Sequence, residues 1–215
     1  QKIELLGLTI YIPYFDIEPA KKQAKKINLP LRIIDISEEH LEILKNPQHG
    51  YGKNMNPCID CHALMIKKAK EVMEKEDYSF VATGEVLEER PMSQNRIALN
   101  LVEKESGING YLLRPLSAKL LKPTIPEEKR WVDRDKLLDI QGRSRKKQIE
   151  LAKKFGLKEY PTPSGGCLLT DPQFSERLKD LFDKKVDVSV NDVELLKYGR
   201  RFWEGDNLIV VGRYK

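Results

Sequence analysis

Leu5-Leu6-Gly7-Leu8-Thr9-Ile10-Tyr11-Ile12 is a short apolar run of β-rich character. Such a run is buried on both faces in a parallel sheet. Working outward, Ala20 to Ile27 reads as a helix and Leu31 to Ile36 as a second strand, with Ser37 expected to cap the helix that follows. Strand, helix and strand in that order form the unit of a parallel sheet, joined by a right-handed crossover with helices laid over its faces.

The alternation continues down the chain. Asn46 to Asn54 has the Pro, Gly and Asn content of a loop, and it leads into Asn56-Pro57-Cys58-Ile59-Asp60-Cys61-His62. From Cys61 onward Leu64, Met65, Ala69, Val72 and Met73 mark one apolar helix face. Ser79 to Ala82 is the next expected strand, ending in Thr83-Gly84-Glu85, and the polar segment Arg90 to Arg96 precedes a helix over Ile97 to Lys104. Tyr111 to Leu116 reads as a strand closed by Pro115, Asp133 to Leu138 as a helix, and Ile149 to Phe155 as a helix stopped by Gly156. Tyr160 to Gly166 is a stiff, then permissive, segment suited to presenting Cys167, and Asp171-Pro172 starts a helix through Phe182. Val186 to Val190, Asp192 to Leu196 and Leu208 to Val211 are expected strands, the last after a turn at Glu204 to Asn207. The expected fold is α/β, an open parallel sheet with helices on both faces plus a small β-rich C-terminal extension. Its divisions fall at residues 1–125, 126–183 and 184–215.

Composition bounds the chemistry. At 215 residues and 40% hydrophobic content the chain can bury a proper core. Its 38 Lys+Arg against 33 Asp+Glu leave a net charge of +5. No apolar run approaches membrane-spanning length and no signal-type core opens the sequence, so no membrane partner and a cytoplasmic location are expected. In a reducing compartment, thiols, metal ligands or catalytic groups are a better reading of three cysteines than structural disulfides.

Those cysteines are Cys58, Cys61 and Cys167. Two thiols two residues apart can reach one metal from a single turn, and a third arriving from the glycine-rich loop can close on it, leaving one of four positions open for chemistry. A helix start at the first pair favours thiolate. Zinc held by the three cysteines with His62 or His49, c-type haem attachment at Cys58-Ile59-Asp60-Cys61-His62, and buried thiols are the competing readings; haem attachment needs export. Thr83-Gly84-Glu85 sits where ligands enter open α/β sheets, at the carboxyl end of a strand, although a tight turn gives the same residues. Arg143, Arg145, Lys146 and Lys147 gather at a helix start against the dipole, which implies an anionic partner or a solvated charged face. Lys197, Arg200 and Arg201 beside Phe202 and Trp203 suit nucleic acid, cations for phosphate and aromatics for bases.

The strand order, the Pro-Cys-x-x-Cys loop, Ala82-Thr83-Gly84, Gly142-Arg143-Ser144-Arg145 and Gly165-Gly166-Cys167 together resemble the PP-loop ATPase family of tRNA thiouridine synthetases over about residues 1 to 180. Within it they resemble a prokaryotic branch often called tRNA (5-methylaminomethyl-2-thiouridylate)-methyltransferase, whose chemistry is thiolation. The tail from about Asp187 is similar to the start of an RNA-binding module named NFACT-R.

The resemblance implies adenylation of a tRNA uridine by ATP with Mg, followed by replacement of the activated oxygen by sulfur. It places the nucleotide near Thr9, Ile10, Thr83, Gly84 and Glu85 and a 4Fe-4S cluster on Cys58, Cys61 and Cys167. Other branches use a persulfide and a resolving thiol, a route open to Cys61 and Cys167. Partners implied are tRNA, a sulfur donor and a second copy in a homodimer. The family opens with a strand and a Ser-Gly-Gly-x-Asp-Ser loop that cradles phosphates, and no such loop occurs here, so an N-terminal segment is expected to precede this sequence. A zinc-stabilised RNA-binding protein without catalysis is the alternative of a different class.

Overall fold

Helices and short strands alternate through most of the computed structural model, which describes residues 3–157, 159 and 167–212. In chain order they are β1 (Gly7–Tyr11), α1 (Glu18–Lys26), β2 (Leu31–Asp35), α2 (Ser37–Lys45), α3 (Cys58–Lys75), β3 (Val81–Ala82) and α4 (Arg96–Ser106). There follow β4 (Leu112–Leu113), α5 (Ile125–Glu128), α6 (Lys146–Lys154), α7 (Pro172–Lys184), α8 (Val190–Leu195), β5 (Arg200–Glu204) and β6 (Asn207–Val211). The chain forms two units, one of Gln1–Leu6 with Cys58–Pro161 and the other of Gly7–Pro57 with Thr162–Lys215.

In the second unit the expected strand-helix-strand is present. β1 and β2 pair in parallel with Leu8 opposite Arg32 and Ile10 opposite Ile34, and α1 is the crossover. Gly7 opens the strand because a Cβ there would lie 3.0 Å from the Leu29 side chain and 3.2 Å from the Pro30 carbonyl oxygen. Ser37 is not the N-cap of α2: it is the first helical residue, and the Asp35 carboxylate, 2.9 Å away, accepts its backbone N–H. A carboxylate two residues upstream does the work expected of the hydroxyl. The core of this unit includes Tyr14, whose ring lies 5.3 Å from that of His40 and 6.0 Å from that of Phe174.

The tail is only half β. β5 and β6 make an antiparallel hairpin in which Glu204 faces Asn207 across the loop Gly205-Asp206, and Gly205 supplies the positive φ of 57° that the two-residue loop requires. Val190 to Leu195, however, is helical, because Ser189 and Asp192 close a capping box: the Asp192 N–H donates to the Ser189 hydroxyl and the Ser189 N–H donates to the Asp192 carboxylate. Val193 and Leu196 turn inward, a helical rather than an alternating spacing.

In the first unit α3 packs on α4 and over a second parallel pair, β3 with β4. Side chains alternate across this pair. Leu112 and Val81 join Ile66, Val102 and Ile108 under the helices, while Leu113 and Phe80 join Ala118, Val132 and Leu137 on the other side. The strands expected over 79–82 and 111–116 are thus two residues each. The helix expected over 133–138 is a single 3-10 turn, Arg134–Lys136, because the backbone N–H of Leu138 goes to the Pro115 carbonyl rather than back along a helix. Among the described residues the strands form two parallel pairs and a hairpin within a mixed helix and strand architecture.

Candidate functional site at the start of α3

Helix α3 begins at Cys58, so Cys58, Cys61 and His62 all lie in its first five residues. Cys58 and His62 are four apart and share a face, whereas Cys61 lies on an adjacent stripe with Met65, whose sulfur is 3.8 Å from its own. Cys61 is buried and Cys58 partly so. Burial pushes the Cys58 thiol above its ordinary range, and the Arg90 guanidinium opposes this only in part. The thiolate expected from the helix start is therefore not favoured at Cys58, because the desolvation of charge there outweighs the nearby cation.

Behind His62 is a buried charged network. Glu85, just past the carboxyl end of β3, accepts from His62 Nδ1 at 3.0 Å through one carboxylate oxygen. Its other oxygen accepts from Arg114 Nε at 2.9 Å and from the Thr83 hydroxyl at 3.0 Å. Arg114 follows β4 and is 4% exposed; its remaining nitrogens donate to Glu103 at 3.3 Å and to the Leu99 carbonyl at 3.2 Å. Burial alone would raise the Glu85 carboxyl, but the His62 hydrogen bond and the Arg114 charge prevail and hold it at about 2. An ionised carboxylate can only accept, so Nδ1 carries the His62 proton and Nε2 is the nitrogen left for other partners.

The other expected site residues lie as follows. Thr83 and Glu85 belong to this network, and Gly84 between them is exposed, with nothing within 4 Å of where a Cβ would stand. Thr9 and Ile10 are half-buried in the middle of β1, in the other unit. Cys167 is 9% exposed and belongs to that unit too, where its carbonyl accepts from the Thr170 N–H at 2.8 Å and hydroxyl at 2.7 Å. Residues 160–166, the expected presenting segment, lie outside the described residues. Among the described residues no three His, Cys, Asp or Glu side chains are gathered to hold a metal ion.

The two cation groups are partly neutralised. Arg145 lies 3.7 Å from Glu89 and Lys147 lies 3.4 Å from Asp139, while Arg143 and Lys146 are exposed. In the tail Lys197 pairs with Glu194 at 2.7 Å. Side chains alternate along β5, so Arg200 and Phe202 face outward, whereas Arg201 and Trp203 lie on the more covered side. Trp203 is engaged within the fold: its Nε1 donates to Asp180 at 2.7 Å, and the Lys184 ammonium sits 5.0 Å from its ring centroid.

No protein-family model matches this chain. Over 60 residues it is 35% identical to the tRNA-specific 2-thiouridylase MnmA of Lawsonia intracellularis (strain PHE/MN1-00), a match that covers 24% of this chain and 17% of that protein. The chain thus matches about a sixth of the relative's length. No helix among the described residues is long and apolar enough to cross a membrane.

Sequence reasoning missed Glu103 and Arg114, and it weighed His62 only as a zinc ligand or as the last residue of a haem-attachment pattern. One signal was present: in Leu112-Leu113-Arg114-Pro115 a cation directly follows a buried apolar strand, a position where an unpartnered charge is too costly to keep.

Proposed function

We propose that this chain belongs to a tRNA-thiolating enzyme that activates a uridine with ATP and exchanges its oxygen for sulfur. The 60-residue likeness to a tRNA 2-thiouridylase is the observation that carries this reading. The cysteine pair in the first turn of α3, with His62 fixed beside it by Glu85, supports it.

In this reading the uridine oxygen attacks the α-phosphorus of ATP and pyrophosphate leaves. A sulfur nucleophile then adds at the ring carbon, the C–O bond breaks, and AMP departs with the oxygen. Gly84, exposed at a strand end, is a surface over which a nucleotide can approach the backbone, with Thr83 and Glu85 beside it and Thr9 and Ile10 assigned on β1. Cys58, Cys61 and Cys167 are the proposed sulfur-handling residues. Their thiols are the donors a 4Fe-4S cluster takes, and such a cluster would present sulfide at its open iron. The described residues do not gather three metal donors, so no step here runs through one. His62 Nε2 offers a fixed hydrogen-bonding nitrogen on the Cys58 face.

The fold of this reading is an open parallel sheet with helices on both faces, followed by an RNA-binding tail, with divisions at residues 125 and 183. Its partners are tRNA, for which Arg143, Arg145, Lys146, Lys147, Lys197, Arg200 and Arg201 are the proposed contacts, and a sulfur donor.

The test is to incubate the full-length protein with tRNA, ATP, Mg and sulfide and to follow pyrophosphate and thiolated nucleoside together. Wild type should release pyrophosphate and form thiouridine, and Cys61→Ser and Cys167→Ala should lose the thiolated product. Thiouridine from Cys167→Ala would remove that residue from the site, and no tRNA-dependent pyrophosphate from wild type would overturn the reading. Anaerobic iron, sulfide and zinc analysis separates cluster, structural zinc and persulfide.

A further inference from the structure

Along α7, Gln173, Glu176, Arg177 and Asp180 recur at helical spacing on one face, and with Arg201 of β5 they line a cleft of about 550 Å³. The hairpin is anchored over this face. Trp203 donates to Asp180 at 2.7 Å and stacks under Lys184, so Arg201, two residues earlier on the same side of β5, faces the cleft that Arg177 also lines. Arg177 is fixed in turn by donating to the Leu196 carbonyl at 3.3 Å.

This puts two guanidiniums into one recess. Burial pushes Arg201 down from its usual range and the neighbouring Arg177 charge adds to it, while the Asp180 and Glu176 charges oppose the shift in part. The balance disfavours the charged form, and the fold keeps two arginines there nonetheless. Two carboxylates also line the cleft, but Asp180 is committed to Lys184 at 2.8 Å and to Trp203. Neither arginine forms an ion pair with Glu176 or Asp180 among the described residues. Both forks therefore keep donors free, and the Gln173 carboxamide can add another.

We propose that the cleft between α7 and β5 binds a backbone phosphodiester of RNA, held by Arg177 and Arg201 with Gln173 beside them. Planar guanidiniums match phosphate oxygens two at a time, whereas lysine offers the same charge as a single point. Glu176 in the wall suits the single negative charge of a phosphodiester better than a dianionic free phosphate. The outer face of the same hairpin presents Arg200 and the exposed Phe202, placing a further cation and an aromatic ring one residue to either side. The inference rests on tRNA being the substrate.

The experiment measures binding of an unmodified tRNA transcript to the full-length protein across a salt series, for wild type, Arg177→Gln/Arg201→Gln, Arg177→Lys/Arg201→Lys, and Lys25→Gln as a remote control. The Gln pair should weaken binding roughly ten-fold at low salt and flatten the log–log salt slope by about 0.7 to 0.9, the contribution of one phosphate contact. The Lys pair should recover much of the slope, which a purely structural loss would not. Lys25→Gln should match wild type, and inorganic phosphate at constant ionic strength should not compete. Wild-type affinity and slope in the Gln pair would remove this cleft while leaving the thiolation reading intact. Competition by inorganic phosphate would reassign it to a small anion, and absence of salt-dependent tRNA binding by wild type would overturn both.

Discussion

The two units bury titratable groups in opposite ways. In the first, Glu85 and Arg114 are almost wholly buried, and each of their polar atoms has a partner within the His62, Thr83, Glu103 and Leu99 network. In the second, His40 is 0% exposed and neither ring nitrogen has a hydrogen-bond partner among the described residues, so it packs as a neutral aromatic against Tyr14. Charge is buried where it can orient a group at the cysteine helix. Where no such task is visible, a titratable ring is buried only in its uncharged form.

Removing Arg114 should break the contrast most severely. Arg114→Ala leaves Glu85 and Glu103 without their shared cation, and unfolding of the first unit should become easier by about 3–5 kcal/mol. Urea denaturation followed by amide exchange in α3 and α4 reads this, and a change under about 1 kcal/mol would show the network to be loosely coupled.

Acid should separate the units by pH. His40 is lowered to about 4 by burial, so the unfolded chain takes up a proton there that the folded one refuses. Its contribution is complete above about pH 6.5 and is lost as pH falls toward 4, amounting to about 3 kcal/mol. Glu85, held at about 2, contributes stability that is complete above the ordinary carboxylate range and is lost only as pH falls below it toward 2. The second unit should thus loosen first on acidification, and His40→Phe should shift that loss to lower pH. Simultaneous loss of both units near pH 3 in wild type would contradict the assignment.

Smaller effects sharpen the comparison. Ser189→Ala opens the capping box of α8 and should cost about 1 kcal/mol in the second unit, with no change in the first. Gly84→Val should leave stability within about 0.5 kcal/mol, since the residue is exposed, has open space around it and lacks a positive φ. In the full-length protein the same change should weaken ATP binding, and normal affinity would take Gly84 out of the nucleotide surface.

What was legible in the sequence follows from these forces. The β1–α1–β2 unit was readable because Leu8 and Ile10 make an apolar run and Pro19 starts a helix soon after. The helical α8 was hidden because Val186, Val188 and Val190 alternate like a strand while the Ser189–Asp192 box, a local hydrogen-bond pattern, decides the outcome. β3 and β4 are shorter than their apolar runs, and Pro115 and Gly84 bound them. The cysteine pair could be placed at a helix start from spacing alone. The network behind it could not, because residues 62, 85, 103 and 114 meet only after α3, β3, α4 and β4 have packed. The aromatic character of Trp203 is visible in sequence, and its bond to Asp180 is not.

The most direct measurement is nucleoside mass spectrometry of tRNA from cells with and without the gene for this protein. Loss of a thiouridine, restored by the wild-type gene and not by one carrying Cys61→Ser, is the expected result. An unchanged set of thiolated nucleosides in the deletion strain would contradict tRNA thiolation as the function of this chain.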